Sequence, residues 1–232
     1  MTKILIIGGG AMGSAFSIPC LENKNKVTIT EPYSKVFIKN LSSKNKFHSA
    51  LKMKLPKKLI YKRFSQELLR EKFNLIVIAL SLSGIDFIGK ELKNLKIKTP
   101  ILVLTKGLKY EKKINKIFTI SELLKKKYNR INVSALKGPC LAKELVRKNK
   151  TSVIIANKNI RIAKWIGKQI STKYYLIEYS RDIIGVEICL PIHLAIFIFL
   201  LAIITLVLFF LANSFAKHGP FKAETFIPLY FF

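Results

Sequence analysis

Short runs rich in β-branched residues recur along the first 187 positions, each followed by a longer stretch in which apolar and polar residues mix. The runs fall at 3–7, 26–30, 59–62, 74–80, 100–105, 131–136, 152–156 and 174–179. Segments of helical length lie between several of them, at 11–22, 84–92, 112–126 and 161–172. Strands alternating with helices predict an α/β domain, a mostly parallel sheet flanked by helices on both faces. The run at 74–80 is apolar almost throughout, as a strand buried on both sides must be. Neither an internal repeat nor a low-complexity linker interrupts 1–187, which therefore reads as one domain.

The pattern breaks at about residue 188. From there to 232 the charged residues are Lys217, Lys222 and Glu224, and 188–211 is an uncharged apolar run of 24 residues. That run predicts an apolar C-terminal helix, long enough to cross a bilayer, for which about 20 residues suffice. The Lys-rich body before it would then stay on the cytoplasmic side. Two other origins fit the same run: a shifted reading frame, which would change composition abruptly, or a helix buried in an oligomer.

Net charge is +28, carried by 41 basic against 13 acidic residues. Of the basic side chains 35 are Lys and 6 are Arg, and 33 of the lysines are spread from Lys3 to Lys173. Arg is the favoured side chain for bidentate phosphate and guanine contacts, so this balance argues for a solvated basic surface and against nucleic acid as partner. Cys20, Cys140 and Cys189 are widely spaced and form no C-x-x-C, which fits a reducing compartment. The short apolar run after Met1-Thr2-Lys3 ends in glycines and is not expected to act as a secretory signal.

The first apolar run leads straight into Gly8-Gly9-Gly10-Ala11-Met12-Gly13, which fits G-x-G-x-x-G. Gly8 permits a tight turn, Gly10 lets the backbone approach a pyrophosphate, and Gly13 allows helix and strand to pack closely. The helix starting at about Ala11 aims its first N–H groups at that pyrophosphate. Following a strand and opening a helix, the motif predicts a Rossmann-type site for NAD or NADP. Glu31, at the end of the second run, is placed to accept from ribose hydroxyls, which favours NAD; Lys35 and Lys39 beyond it could hold a 2′-phosphate instead.

Three further segments carry a specific resemblance. They are Leu104-Thr105-Lys106-Gly107-Leu108, Lys137-Gly138-Pro139-Cys140-Leu141-Ala142-Lys143-Glu144 and Asp182-Ile183-Ile184-Gly185-Val186-Glu187, with Leu55-Pro56 before the third run. In this order and spacing they resemble the NAD(P)-dependent glycerol-3-phosphate dehydrogenases over about residues 1–189. The resemblance implies a cytoplasmic enzyme passing hydride between NAD(P)H and dihydroxyacetone phosphate to give sn-glycerol 3-phosphate, with a homodimer left open. It implies that Lys106 touches both cofactor and substrate. Gly138, Cys140 and Ala142 match positions that contact substrate or cofactor. Cys140 departs from the family's usual Ser or Thr, and a thiol is a weaker donor.

In that family, Gly-Val-Glu leads within a few residues to a Lys-Asn pair whose lysine is the general acid/base. Here His193 and Leu194 stand at those positions, close to Pro191, which would disturb a helix interior. The family also places an arginine on the substrate phosphate, and this sequence has no arginine after Arg181. Residues 1–187 thus predict the cofactor half of the enzyme. Residues 188–232 do not match its helical substrate domain, so the expected behaviour is cofactor binding with little or no turnover, or a non-catalytic nucleotide-binding module tethered to a membrane through 188–211.

Overall fold

The structure is a computed structural model that describes residues 1–128, 132–188 and 203–209, with the side chain of residue 113 left aside. Its elements in chain order are β1 (Lys3–Ile7), α1 (Ala11–Glu22), β2 (Lys26–Thr30), α2 (Lys35–Ser42), β3 (Phe47–His48), β4 (Met53–Lys54), β5 (Ile60–Tyr61), α3 (Gln66–Arg70), β6 (Leu75–Ile78), α4 (Ile85–Asn94), β7 (Ile101–Val103), β8 (Leu108–Glu111), β9 (Lys116–Thr119), α5 (Ile120–Tyr128), β10 (Val133–Lys137), α6 (Ala142–Val146), β11 (Thr151–Ala156), α7 (Ile160–Ile170) and β12 (Tyr175–Ser180). A further helix begins at residue 183. It is capped by Asp182, whose Oδ1 accepts the Gly185 N–H at 2.9 Å.

Eight strands form one sheet in the order β12-β11-β10-β7-β6-β1-β2-β5. Neighbours run parallel except β10 and β11. These are the eight runs read from the sequence. The chain steps one way from β1 through β2 to β5, then returns to the other side of β1 and steps away through β6, β7 and β10. That reversal opens a crevice at the carboxyl ends of β1 and β6, where open α/β sheets bind ligands.

Side chains of a strand alternate between faces, and the core divides accordingly. Ile4, Ile6, Leu75 and Val77 pack with Ala15, Phe16 and Cys20 of α1 and with Ala163 and Ile166 of α7. Leu5, Ile7, Ile76 and Ile78 pack on the other face with Ile85, Ile88 and Leu92 of α4 and with Leu123 and Leu124 of α5. Each fully buried aliphatic side chain contributes about 1.5–3 kcal/mol, so these two layers dominate the stability of the domain.

The sequence reading misses at 112–126, expected as one helix. Residues 108–119 fold instead as the antiparallel hairpin of β8 and β9, turning through Asn115 at φ 49°. The helix starts only at Ile120. Thr119 and Glu122 cap it: the Thr119 N–H donates to Glu122 Oε2 at 3.2 Å, and the Glu122 N–H to Thr119 Oγ1 at 3.3 Å. Thr-x-x-Glu is a capping-box signature that marks this start in the sequence itself. The helix α2 is likewise absent from the sequence reading, although Ser34 caps it by accepting the Phe37 N–H at 3.3 Å.

Residues 1–190 form one compact unit, and 203–209, which are helical, belong to a second that spans 191–232. Among the described residues no helix is long and apolar enough to cross a membrane. Of the apolar run 188–211, in which an apolar helix was expected, residues 189–202 and 210–211 lie outside the described residues.

Asp86 ties the hairpin to both helices beside it. Its carboxylate pairs with Lys109 of β8, accepts from Lys127 Nζ at 3.0 Å and accepts from the Tyr128 hydroxyl at 3.0 Å. Partial burial would push the Asp86 carboxyl up, but the bonds from Lys109, Lys127 and Tyr128 outweigh it and hold the group at about 2, below its ordinary 3.8. A carboxyl with a depressed pKa in the folded state stabilises above its unfolded value, and the contribution is lost as pH falls from about 4 through about 2. Asp86→Asn is therefore expected to cost about 1–2 kcal/mol at neutral pH, discounted for partial exposure, with the deficit closing towards pH 2. Thermal melts of both proteins at pH 7, 4 and 2.5 check this.

Candidate functional site

The glycine loop sits at the carboxyl end of β1 and is held by the protein around it. Gly8 turns at φ +119°, and a Cβ there would collide with the Ala79 carbonyl at the end of β6. A Cβ on Gly13 would collide with the Gly8 carbonyl. These two glycines are fixed by the fold. Gly10 is different: it caps α1 in an extended conformation, and a Cβ built on it would meet only Phe37 Cε2, at 3.6 Å. The space over Gly10 is left open by the chain itself, and the N–H groups of Ala11, Met12 and Gly13 in the first turn of α1 have no partner within the helix. An open cradle over a helix N-terminus suits a pyrophosphate.

The Gly9 peptides are clamped on both sides. The Gly9 N–H donates to Glu31 Oε2 at 2.6 Å. The Gly9 carbonyl accepts from Ser14 Oγ at 3.0 Å and from His48 Nε2 at 2.9 Å. Because a carbonyl only accepts, the His48 proton sits on Nε2, and Nδ1 is left to accept the Leu51 N–H at 3.3 Å. His48 is fully buried and stacks on Phe37 with ring centroids 5.1 Å apart. Sequence reasoning missed His48 and Ser14; a lone histidine on a two-residue strand 39 positions from the loop gives no local signal.

Glu31 stands where the sequence placed it, at the end of β2, but its carboxylate faces inward. It is 6% exposed, and besides the Gly9 N–H it accepts the N–H groups of Tyr33 at 2.9 Å and Ser34 at 3.1 Å. A carboxylate offers about four lone-pair sites, so little capacity remains for ribose hydroxyls. In this structure Glu31 braces the loop. Lys35 and Lys39 are exposed on α2 beyond it.

A cavity of about 260 Å³ lies further along the same edge. Met12 of α1, Ala79 and Leu80 after β6, Leu104, Thr105 and Lys106 after β7, and Cys140, Leu141 and Ala142 at the start of α6 line it. Four of the sequence candidates, Met12, Lys106, Cys140 and Ala142, thus come together. Lys106 is exposed and leaves the chain just before Gly107, which turns at φ +114°. Thr105 is buried, its hydroxyl donating to the Leu80 carbonyl at 2.8 Å. Gly138 packs against β11, where a Cβ would lie 2.8 Å from the Ser152 carbonyl, so its small size already serves the fold. Burial pushes the Cys140 thiol up to about 11 against a weaker opposing pull from Lys106. At neutral pH it is a thiol. His193 lies outside the described residues.

Residues 3–163 match the family described as NAD-dependent glycerol-3-phosphate dehydrogenase N-terminus. The chain is 29% identical over 191 residues to the NADP(+)-dependent glycerol-3-phosphate dehydrogenase of Archaeoglobus fulgidus, covering 80% of this chain and 55% of that protein. It is 30% identical over 192 residues to a glycerol-3-phosphate dehydrogenase (NAD(P)+) of Clostridium botulinum, covering 81% and 56%. Among solved structures, the glycerol-3-phosphate dehydrogenases of Coxiella burnetii and Plasmodium falciparum superpose with TM-scores of 0.69 and 0.70. Both are 23% identical, cover 81% of this chain, and are themselves covered over 56% and 55% of their length. At that identity the structural likeness shows the fold alone. The chain spans little more than half the length of the curated relatives it matches.

The glycines separate into two classes that a melt can distinguish. Gly8→Ala and Gly13→Ala are expected to lower stability by several kcal/mol, because each pushes a Cβ into backbone. Gly10→Ala should cost under about 1 kcal/mol, the usual difference between Gly and Ala at a helix cap. A drop for Gly10→Ala as large as for Gly8→Ala would mean the loop is closed by the fold at all three positions.

Proposed function

We propose that this chain, which belongs to the NAD-dependent glycerol-3-phosphate dehydrogenase family, binds NAD(H) or NADP(H) along the carboxyl edge of its sheet and serves the interconversion of dihydroxyacetone phosphate and sn-glycerol 3-phosphate. The observation that carries this reading is the contrast within the glycine loop: Gly8 and Gly13 are closed in by protein, while Gly10 faces open space at the N-terminus of α1.

The residues present fit a dinucleotide. The first-turn N–H groups of α1 would hold the pyrophosphate, and the bare Gly10 would let it approach. Glu31, Ser14 and His48 keep the loop in that shape through Gly9. The cavity lined by Met12, Lys106, Cys140 and Ala142 would take the reacting end, with the Lys106 ammonium drawing in an anionic substrate. When bound, the nicotinamide supplies or accepts the hydride. Water would be kept from this end by Leu80, Leu104 and Leu141 on the cavity wall. The proton on the substrate oxygen must come from a group other than Cys140, whose thiol is not poised for acid/base work near neutral pH.

These 232 residues carry neither a Lys-Asn pair nor an arginine after Glu187. The chain as given is therefore expected to bind dinucleotide and to turn over dihydroxyacetone phosphate negligibly. The cytoplasmic setting of such a dehydrogenase is part of the same proposal.

At a dinucleotide concentration of 100 times Kd, binding should stabilise the chain by about 2.7 kcal/mol, a rise in Tm of roughly 5–10 °C. Gly10→Ala should weaken the affinity at least about tenfold, equivalent to about 1.4 kcal/mol. Calorimetric titration with NADH and NADPH, followed by a melt with each, tests both. No heat and no shift with either dinucleotide would sink the reading, and rapid NADH oxidation on adding dihydroxyacetone phosphate would overturn the expectation of negligible turnover.

A further inference from the structure

Beneath the Lys106 turn lies a buried ion pair that the dinucleotide site does not itself require. Lys137 ends β10 with 4% of its surface exposed, and Glu187 lies on the helix that begins at residue 183 with 2% exposed. Lys137 Nζ donates to the carbonyl of Thr105 and stands 4.0 Å from Glu187 Oε1. Both Glu187 oxygens accept the Ser121 N–H at 3.3 Å, at the start of α5. The group thus joins the ends of β7 and β10, the start of α5 and the helix after β12.

An ammonium and a carboxylate taken out of water are a poor way to gain stability. Apolar side chains of similar size in their place are often neutral or stabilising, whereas breaking such a pair is costly. Burial draws the Lys137 pKa down to about 8; the Glu187 charge opposes the fall, and repulsion from Lys106 adds to it. What the pair gives in return is direction. The ammonium fixes the Thr105 carbonyl, and the Thr105 hydroxyl is fixed in turn on the Leu80 carbonyl at 2.8 Å. The peptide joining Thr105 to Lys106 is then set on its inner side, and Gly107 turns the chain away immediately afterwards.

We propose that Lys137 and Glu187 are positioning residues for Lys106: they hold the Thr105–Lys106 peptide so that the Lys106 ammonium stands on the cavity wall where it meets the dinucleotide and its substrate. This rests on the dinucleotide reading of the site. The pair acts through Thr105 and touches neither ligand, so its effect is separable from that of Lys106 itself.

The test compares the full chain with Lys137→Met and with Lys137→Met/Glu187→Met. Three quantities are read: Tm, the affinity for NADH, and the rate at which the Lys106 amine is acylated by acetic anhydride, followed by peptide mass spectrometry. Lys137→Met should lower Tm by leaving Glu187 buried and unpaired, weaken NADH binding at least fivefold, and change the Lys106 acylation rate severalfold relative to Lys35. The double variant should recover Tm to within a few degrees while NADH affinity and the Lys106 rate stay shifted. Recovery of all three in the double variant would overturn the proposal and leave the pair a packing feature. If Lys137→Met does not fold, the double variant alone decides by the same criterion. If the unaltered chain binds neither NADH nor NADPH, the dinucleotide reading fails, whereas the Lys106 acylation rates still decide whether the pair positions that lysine.

Discussion

The two peptide groups flanking Gly9 are held from every side, and the rest of the candidate site depends on that grip. One carboxylate oxygen takes the N–H, while a serine hydroxyl and a buried imidazole share the carbonyl. With both ends satisfied inside the protein, the next residue, Gly10, is left as the cap of α1 and faces outward. A glycine-rich loop in water would sample many backbone states, and freezing it costs more conformational entropy than freezing any other residue type. Three charge-assisted or buried hydrogen bonds, together with the packing of His48 against Phe37, offset that cost before any ligand arrives. The site is therefore pre-formed, which keeps the ordering cost out of the binding step.

The same division of labour extends along the sheet edge. Apolar layers on the two faces of the sheet supply nearly all the stability, and they are blind to where a particular side chain at the edge points. Direction comes from a few buried or half-buried polar groups. Glu31 sets the glycine loop, Thr105 and Lys137 set the turn that carries Lys106, and Asp86 gathers β8, α4 and α5 around the hairpin that follows it. Each of these groups leaves its mark on the backbone orientation around it. A dinucleotide-binding domain needs both parts, a stable frame and groups at its edge held in one geometry.

The central strands were legible because a buried parallel strand must be apolar on both faces, a demand made locally over three to five residues. The glycine loop was legible for a related reason, since Gly8 and Gly13 each answer a steric demand of the backbone around them. Residues 112–126 misled because alternating lysines and aliphatics fit a half-exposed hairpin as well as a helix; only Thr119 and Glu122, read as a cap, divide the two. Glu31 was located correctly, yet its partners could not be read: whether a carboxylate faces a ribose or the backbone of its own loop depends on the path of Tyr33 and Ser34.

What the sequence determined by itself was the order of the eight sheet strands, the glycine loop between β1 and α1, and the chain of short motifs that mark the dehydrogenase family. These are properties of periodicity and of local backbone demand, felt within a few residues. Tertiary structure alone decided that His48, 39 residues from Gly9, would hold its carbonyl, and that Lys137 and Glu187, 50 residues apart, would meet under Thr105. A hydrogen bond forms over about 3 Å and carries no trace in the spacing of residues along the chain. Such partners become visible only once the sheet has brought the ends of its strands together.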